Sequence, residues 1–144
     1  MTVAGSGPTV LRRKVRDYIK SSMDKITRIP RRKFLVVTEN VVVGEDLSEL
    51  LALEFSATTD LRSHLRDAWG HGYAAAFFDI KPALLAEETR VRAMADEGTS
   101  IIVFDGEPGT VWFGDLQLIQ LAQPFRSEDV IRLLRSIGVD QTTR

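Results

Sequence analysis

Apolar residues fall in short runs, and the stretches between those runs carry helical spacing. Phe34-Leu35-Val36-Val37 is a continuous apolar run of strand length, followed by Thr38-Glu39-Asn40. Residues 41–52 then place Val42, Val43, Leu47, Leu50 and Leu51 at three- and four-residue steps, which predicts a helix. Leu53 to Thr58 reads as a weaker strand. Asp60 is positioned to cap a helix carrying Leu61, Leu65, Ala68 and Trp69, closed by His71-Gly72. Tyr73 to Phe78 predicts a second buried strand, ending in Asp79. Pro82 sits at a helix start, and Leu84, Leu85, Val91, Met94 and Ala95 give that helix one apolar stripe up to Gly98. Ser100 to Phe104 is a third apolar strand, again ending in an acid, Asp105. Residues 106–114, with three glycines and a proline, read as a loop whose Trp112 and Phe113 form a lid over the core or a partner-binding patch. Leu116 to Leu121 is the last strand. Gln123-Pro124-Phe125 follows, then a helix capped by Ser127 and stopped by Gly138, with Val130, Ile131, Leu133, Leu134 and Ile137 on its apolar side.

Strand and helix patterns thus alternate five times, and the strands are apolar runs rather than alternations. Such runs are expected where helices cover both faces of a sheet, so the fold class is α/β with a parallel sheet. Ahead of it, residues 1–8 are small and polar and read as a disordered start. Residues 9–32 form a basic amphipathic helix and linker, with Leu11, Val15, Tyr18, Ile19, Met23 and Ile26 at helical spacing and Ile29-Pro30 ending the helix. Residues 33–138 make one domain, and 139–144 a tail. No repeat of 20–50 residues is visible.

Composition narrows the chemistry. The 144 residues suit one core and include no cysteine, which excludes disulfides, thiolate metal sites and a cysteine nucleophile. No apolar stretch of membrane-spanning length and no apolar signal core occur, so a cytoplasmic protein is expected. The net charge of -1 conceals an asymmetry: residues 1–33 carry +8 and residues 34–144 carry -9. The basic arm therefore has three readings: an extra helix packed on the domain, a self-association helix giving a homodimer, or a contact for nucleic acid or a membrane surface.

Glu39, Asp79 and Asp105 each lie just beyond the carboxyl end of a predicted parallel strand, where ligands gather in open α/β sheets. Three such carboxylates suit Mg²⁺, a hard cation that takes oxygen ligands and keeps waters; the plain alternative is three polar loop residues. His64 and His71 read as exposed helix-end histidines. No G-x-S-x-G, G-x-x-x-x-G-K-[ST] or G-x-G-x-x-G occurs, so neither a hydrolase elbow nor a nucleotide loop is indicated.

The ordered set FLVVTEN, AAFFDIKP, IIVFDG and LAQPFRSEDVIRLL resembles the receiver domain of two-component response regulators over residues 33–138. The resemblance implies a doubly wound, flavodoxin-like, five-stranded parallel sheet of order 2-1-3-4-5, here preceded by the extra helix. It implies phosphorylation of an aspartate by a histidine kinase in the presence of Mg²⁺. Asp79 matches the phosphoacceptor, Thr38-Glu39 the acidic pair that holds the metal, Asp105 the switch hydroxyl, Gln123 the lysine, and Gln120 the switch aromatic.

The departures define the reading. Thr38 replaces an acid, Asp105 replaces a hydroxyl, and Gln123 replaces a lysine. The short Gly/Pro-rich segment after Asp105 implies that the fourth helix is reduced or lost. Three carboxylates without a lysine oppose a phosphoryl group that adds about -1.5 to -2 of charge. At an effective dielectric of 20, two unit charges 4 Å apart repel by about 4 kcal/mol. The expected protein is a degenerate receiver: a non-catalytic module acting on a signalling partner, a histidine kinase or another regulator. The alternatives are a working phosphoacceptor using Asp79 and Mg²⁺, a Mg²⁺-dependent phosphatase and a nucleic-acid adaptor acting through the arm.

Overall fold

The computed structural model describes residues 32–105 and 107–142, and of Asp105 the backbone alone. The expected start over 1–8 and the arm helix with Leu11, Val15, Ile19, Met23 and Ile26 lie outside the described residues.

The described elements run β1 (Lys33–Val37), α1 (Val41–Phe55), β2 (Thr58–Arg62), a 3₁₀ turn (Leu65–Asp67), β3 (Ala75–Phe78), α2 (Pro82–Ala86) and α3 (Thr89–Asp96). They continue with β4 (Ser100–Asp105), β5 (Gly109–Phe113), β6 (Leu116–Ala122) and α4 (Ser127–Ser136). The strands form one sheet of order β2-β1-β3-β4-β6-β5. Every neighbouring pair is parallel except β5 with β6.

This corrects the five-stranded, all-parallel expectation of order 2-1-3-4-5. The α/β class holds, but the sheet has six strands, and the segment read as a loop supplies an antiparallel edge. Its central residues Thr110-Val111-Trp112-Phe113 are β-branched or aromatic and suit a pleated surface. Gly114, at φ 66°, opens the two-residue turn into β6, a position where glycine meets the demand for positive φ. In chain order a strand therefore follows β4 and precedes β6 where the family resemblance would place a helix.

Three further boundaries differ. The strand expected at Leu53–Thr58 is divided: α1 runs on to Phe55, Ser56 turns at φ 51°, and β2 pairs Thr58–Arg62 with β1. Asp60 therefore lies within β2 instead of capping a helix, and Leu65–Asp67 form a single 3₁₀ turn. The helix after Pro82 is broken into α2 and α3. Ser127 is the first residue of α4, whose N-cap is Arg126; the Asp129 carboxylate accepts a 2.8 Å bond from the Arg126 backbone N–H.

Side chains alternate across the strands, so each apolar run feeds two cores. Phe34, Val36, Ala75, Phe77, Ile102 and Phe104 face α1 and α4, where Leu47, Leu51, Phe55, Val130 and Leu134 meet them. Leu35, Val37, Ala76, Phe78, Ile101 and Val103 face α2 and α3 through Leu85, Val91 and Met94. Each of these side chains other than the two alanines, fully buried, stabilises by roughly 1.5–3 kcal/mol. On the α1/α4 side Phe55, Phe34, Phe77, Phe104 and Phe125 follow one another with ring centroids 5.4–6.3 Å apart. Such pairs add about 0.5–1.5 kcal/mol each beyond their area.

Candidate functional site

The chain leaves β1 for β2 on one side and returns to β3 on the other. A crevice therefore opens beyond the carboxyl ends of β1 and β3, where doubly wound sheets hold ligands. Thr38 follows β1 there, and Asp79 follows β3. The Asp79 N–H donates to the Val37 carbonyl at 2.8 Å, extending the β1–β3 pairing by one residue and fixing the aspartate beside Thr38.

Thr38 is buried at 5% exposure and joins three elements. Its N–H donates to the Arg62 carbonyl at 2.9 Å. Its Oγ1 donates to Asp79 Oδ2 at 2.9 Å and accepts from the Asn40 N–H at 3.0 Å. Asn40 in turn caps α1, accepting from the Val43 N–H at 3.1 Å. The hydroxyl thus occupies one oxygen of Asp79 and ties that carboxylate to the start of α1.

Glu39 and Asp79 share a cleft of about 400 Å³ with Thr38, His64, Ile80 and Leu84. The Glu39 side chain is 80% exposed, and its Oε2 lies 3.7 Å from His64 Nδ1, an ion pair whenever the imidazole is protonated. Two carboxylates offer oxygen ligands of the kind Mg²⁺ takes together with water. Among the described residues no three histidine or acidic side chains gather as a metal-binding group. Asp105 ends β4 beside β3, which puts its backbone at the same sheet edge; its side chain lies outside the described set.

Gln123 and Gln120 do not join Asp79. Gln123 is exposed and lines a separate groove between α1 and α4. Gln120 lies within β6, half-buried beside Pro108 and Arg132. Arg126 lines the groove with Gln123, and Lys81 is not among the residues around the cleft. Trp112 is 59% exposed on β5, so it is not a lid, whereas Phe113 packs on the α2/α3 core. His71 is exposed and lies 3.3 Å from Glu97.

Two features escape a reading of spacing alone. The first is His64, brought to Glu39 because β2 ends where a helix was expected. The second is a polar cluster toward the amino ends of β1 and β3, away from the Asp79 cleft. The Tyr73 hydroxyl donates to Asp60 Oδ2 at 2.6 Å, and Lys33 Nζ stands 3.8 Å from that oxygen and 4.9 Å from the Tyr73 ring centre. Burial, reinforced by the Asp60 hydrogen bond and charge, pushes the Tyr73 phenol up to about 12.

Comparison with known protein families, with curated proteins and with solved structures gives no match. No helix among the described residues is long and apolar enough to cross a membrane.

Proposed function

We propose that the domain is a degenerate receiver-like signalling module that acts by binding a partner protein, with Asp79 a poor phosphoacceptor. The observation that carries this reading is the 2.9 Å bond from Thr38 Oγ1 to Asp79 Oδ2. A carboxylate that attacks a phosphorus atom needs cations beside it to neutralise the incoming charge. At this site one oxygen is engaged by a neutral hydroxyl instead of facing a second acid and its metal. Gln123, in the position that resembles the family's lysine, is turned to another groove and brings no charge.

Glu39 and Asp79, which line one cleft, would be the residues to hold Mg²⁺, with water completing the shell. The ion would offset negative charge in the cleft. The residues' own part is fixed by the sheet: Thr38 orients Asp79, and Glu39 stands in solvent within reach of His64.

The test is incubation with acetyl phosphate and millimolar Mg²⁺, read by intact mass. The expected result is no stoichiometric addition. Full addition of one phosphoryl group, abolished by Asp79→Asn, would replace this reading with that of a working phosphoacceptor.

A further inference from the structure

The two edges of the sheet differ in chemistry. β2 ends it on one side and carries Asp60 and Arg62. β5 ends it on the other side as Gly109-Thr110-Val111-Trp112-Phe113, with no charge and no proline. Edge strands are commonly blunted by such residues, because their free main-chain groups are a template for another strand. Among the described residues β5 pairs with β6 alone. The alternation of an antiparallel ladder turns the N–H and C=O of every second β5 residue away from β6.

The side chains point the same way. Phe113 packs on the α2/α3 core, so Trp112 stands on the opposite face of the strand. It remains 59% exposed there, and Thr110 on the same face is exposed as well. A large open aromatic beside an unblunted edge has the composition of an interface centre.

We infer that β5 pairs antiparallel with β5 of a second copy of this chain, joining two six-stranded sheets across a two-fold axis at Val111. Three features select a second copy. The strand is its own complement: centred on Val111, Thr110 of each copy lies opposite Trp112 of the other, an aromatic and β-branched pair. The two Trp112 rings are then diagonal neighbours on one face, within reach of each other. Charge permits the register, since β5 is neutral. Glu107 and Asp115, the like charges it brings near each other, are offset by Arg92, 3.1 Å from Asp115. Closure follows from symmetry: the pairing uses both uncharged edges and leaves the two charged β2 edges outermost, so assembly stops at two. None of this depends on the chemistry of Asp79.

The experiment uses the full chain and light scattering over a concentration series, with circular dichroism to verify folding. The wild type is expected to dimerise, and Trp112→Lys to dimerise at least about tenfold more weakly, a change of about 1.4 kcal/mol. Because the chain has no cysteine, a single introduced thiol reads the register directly. Val111 would meet its own copy with Cα atoms about 4.5–5.5 Å apart, within the span of a disulfide. Gln117, exposed on β6, would be three strand spacings from its copy, at least about 14 Å. Val111→Cys should therefore link into covalent dimers under mild oxidation much faster than Gln117→Cys. A wild type that is monomeric at every concentration overturns the inference. So does a dimer unchanged by Trp112→Lys, or equal linking by the two cysteine variants. Should Trp112→Lys fail to fold, the cysteine pair decides alone.

Discussion

At the residue scale, a single hydroxyl engages one oxygen of Asp79. Thr38 is buried between β1, β3 and α1, and its Oγ1 spends its proton on Asp79. Thr38→Asp puts a second carboxylate there, and the two negative groups then favour either protonation or a cation. The variant should be less stable than the wild type without divalent ions and recover with them. Binding at a hundredfold excess over Kd stabilises by about 2.7 kcal/mol, so the melting shift on adding Mg²⁺ should be larger in Thr38→Asp than in wild type. Equal shifts would mean that position 38 does not govern cation binding. Tyr73 gives a residue-level test with a defined pH sign. Its folded value of about 12 lies above the ordinary 10 of a free phenol. The folded state therefore holds the proton more tightly. The stabilisation is complete below pH 10 and disappears as pH rises through 12, because the unfolded chain ionises first. Chemical denaturation between pH 9 and 12 should show a loss of stability that Tyr73→Phe lacks. The strand-end positions of Glu39 and Asp79 were legible because apolar runs mark strands and the next polar residue marks their ends. The partners Thr38 Oγ1 and His64 were not, since the first depends on the β1–β3 register and the second on where β2 stops, and spacing encodes neither.

At the scale of elements, legibility followed the strength of the local pattern. β1, β3 and β4 are apolar runs buried on both faces, β6 is a mostly apolar strand with one face partly open, and the sequence places each within a residue or two. β2 is an edge strand with the mixed sequence Thr58-Thr59-Asp60-Leu61-Arg62, so nothing in its hydrophobicity separates it from a helix start. Pairing with β1 and the left-handed Ser56 impose it instead. β5 was hidden for a different reason: the three glycines of residues 106–114 outweighed its β-branched and aromatic centre. The signal was nevertheless present as Gly114-Asp115 between two strand-like segments. That turn supports a direct test. A Cβ at Gly114 would meet no atom within 4 Å, so the cost of Gly114→Ala is conformational and arises from φ 66°. A left-handed non-glycine residue costs roughly 1–2 kcal/mol. The denaturation midpoint should fall accordingly with its slope unchanged. An unaltered midpoint would show that the β5–β6 turn contributes nothing to global stability.

At the scale of the molecule, the sheet is one wall shared by two cores, and this makes a cooperative prediction. Phe34, Phe77, Ile102 and Phe104 point to α1 and α4 while their neighbours Leu35, Phe78, Ile101 and Val103 point to α2 and α3. A strand cannot release one face and keep the other, because the same backbone ladder carries both. Leu51, fully buried on α1, belongs to the first face. Trp69, stacked under Arg90 at 4.4 Å, packs against the second. Leu51→Ala leaves a cavity and should cost about 2–5 kcal/mol. If the domain unfolds as a unit, tryptophan fluorescence and far-ultraviolet circular dichroism will report the same lowered midpoint, although the cavity and Trp69 lie on opposite sides of the sheet. Replacing the exposed Trp112 by Phe leaves Trp69 as the one tryptophan and assigns the fluorescence to the second face. Coincident transitions in that background meet the usual test of two-state behaviour. A fluorescence midpoint that stayed at the wild-type value while the dichroism midpoint fell would show two cores melting separately.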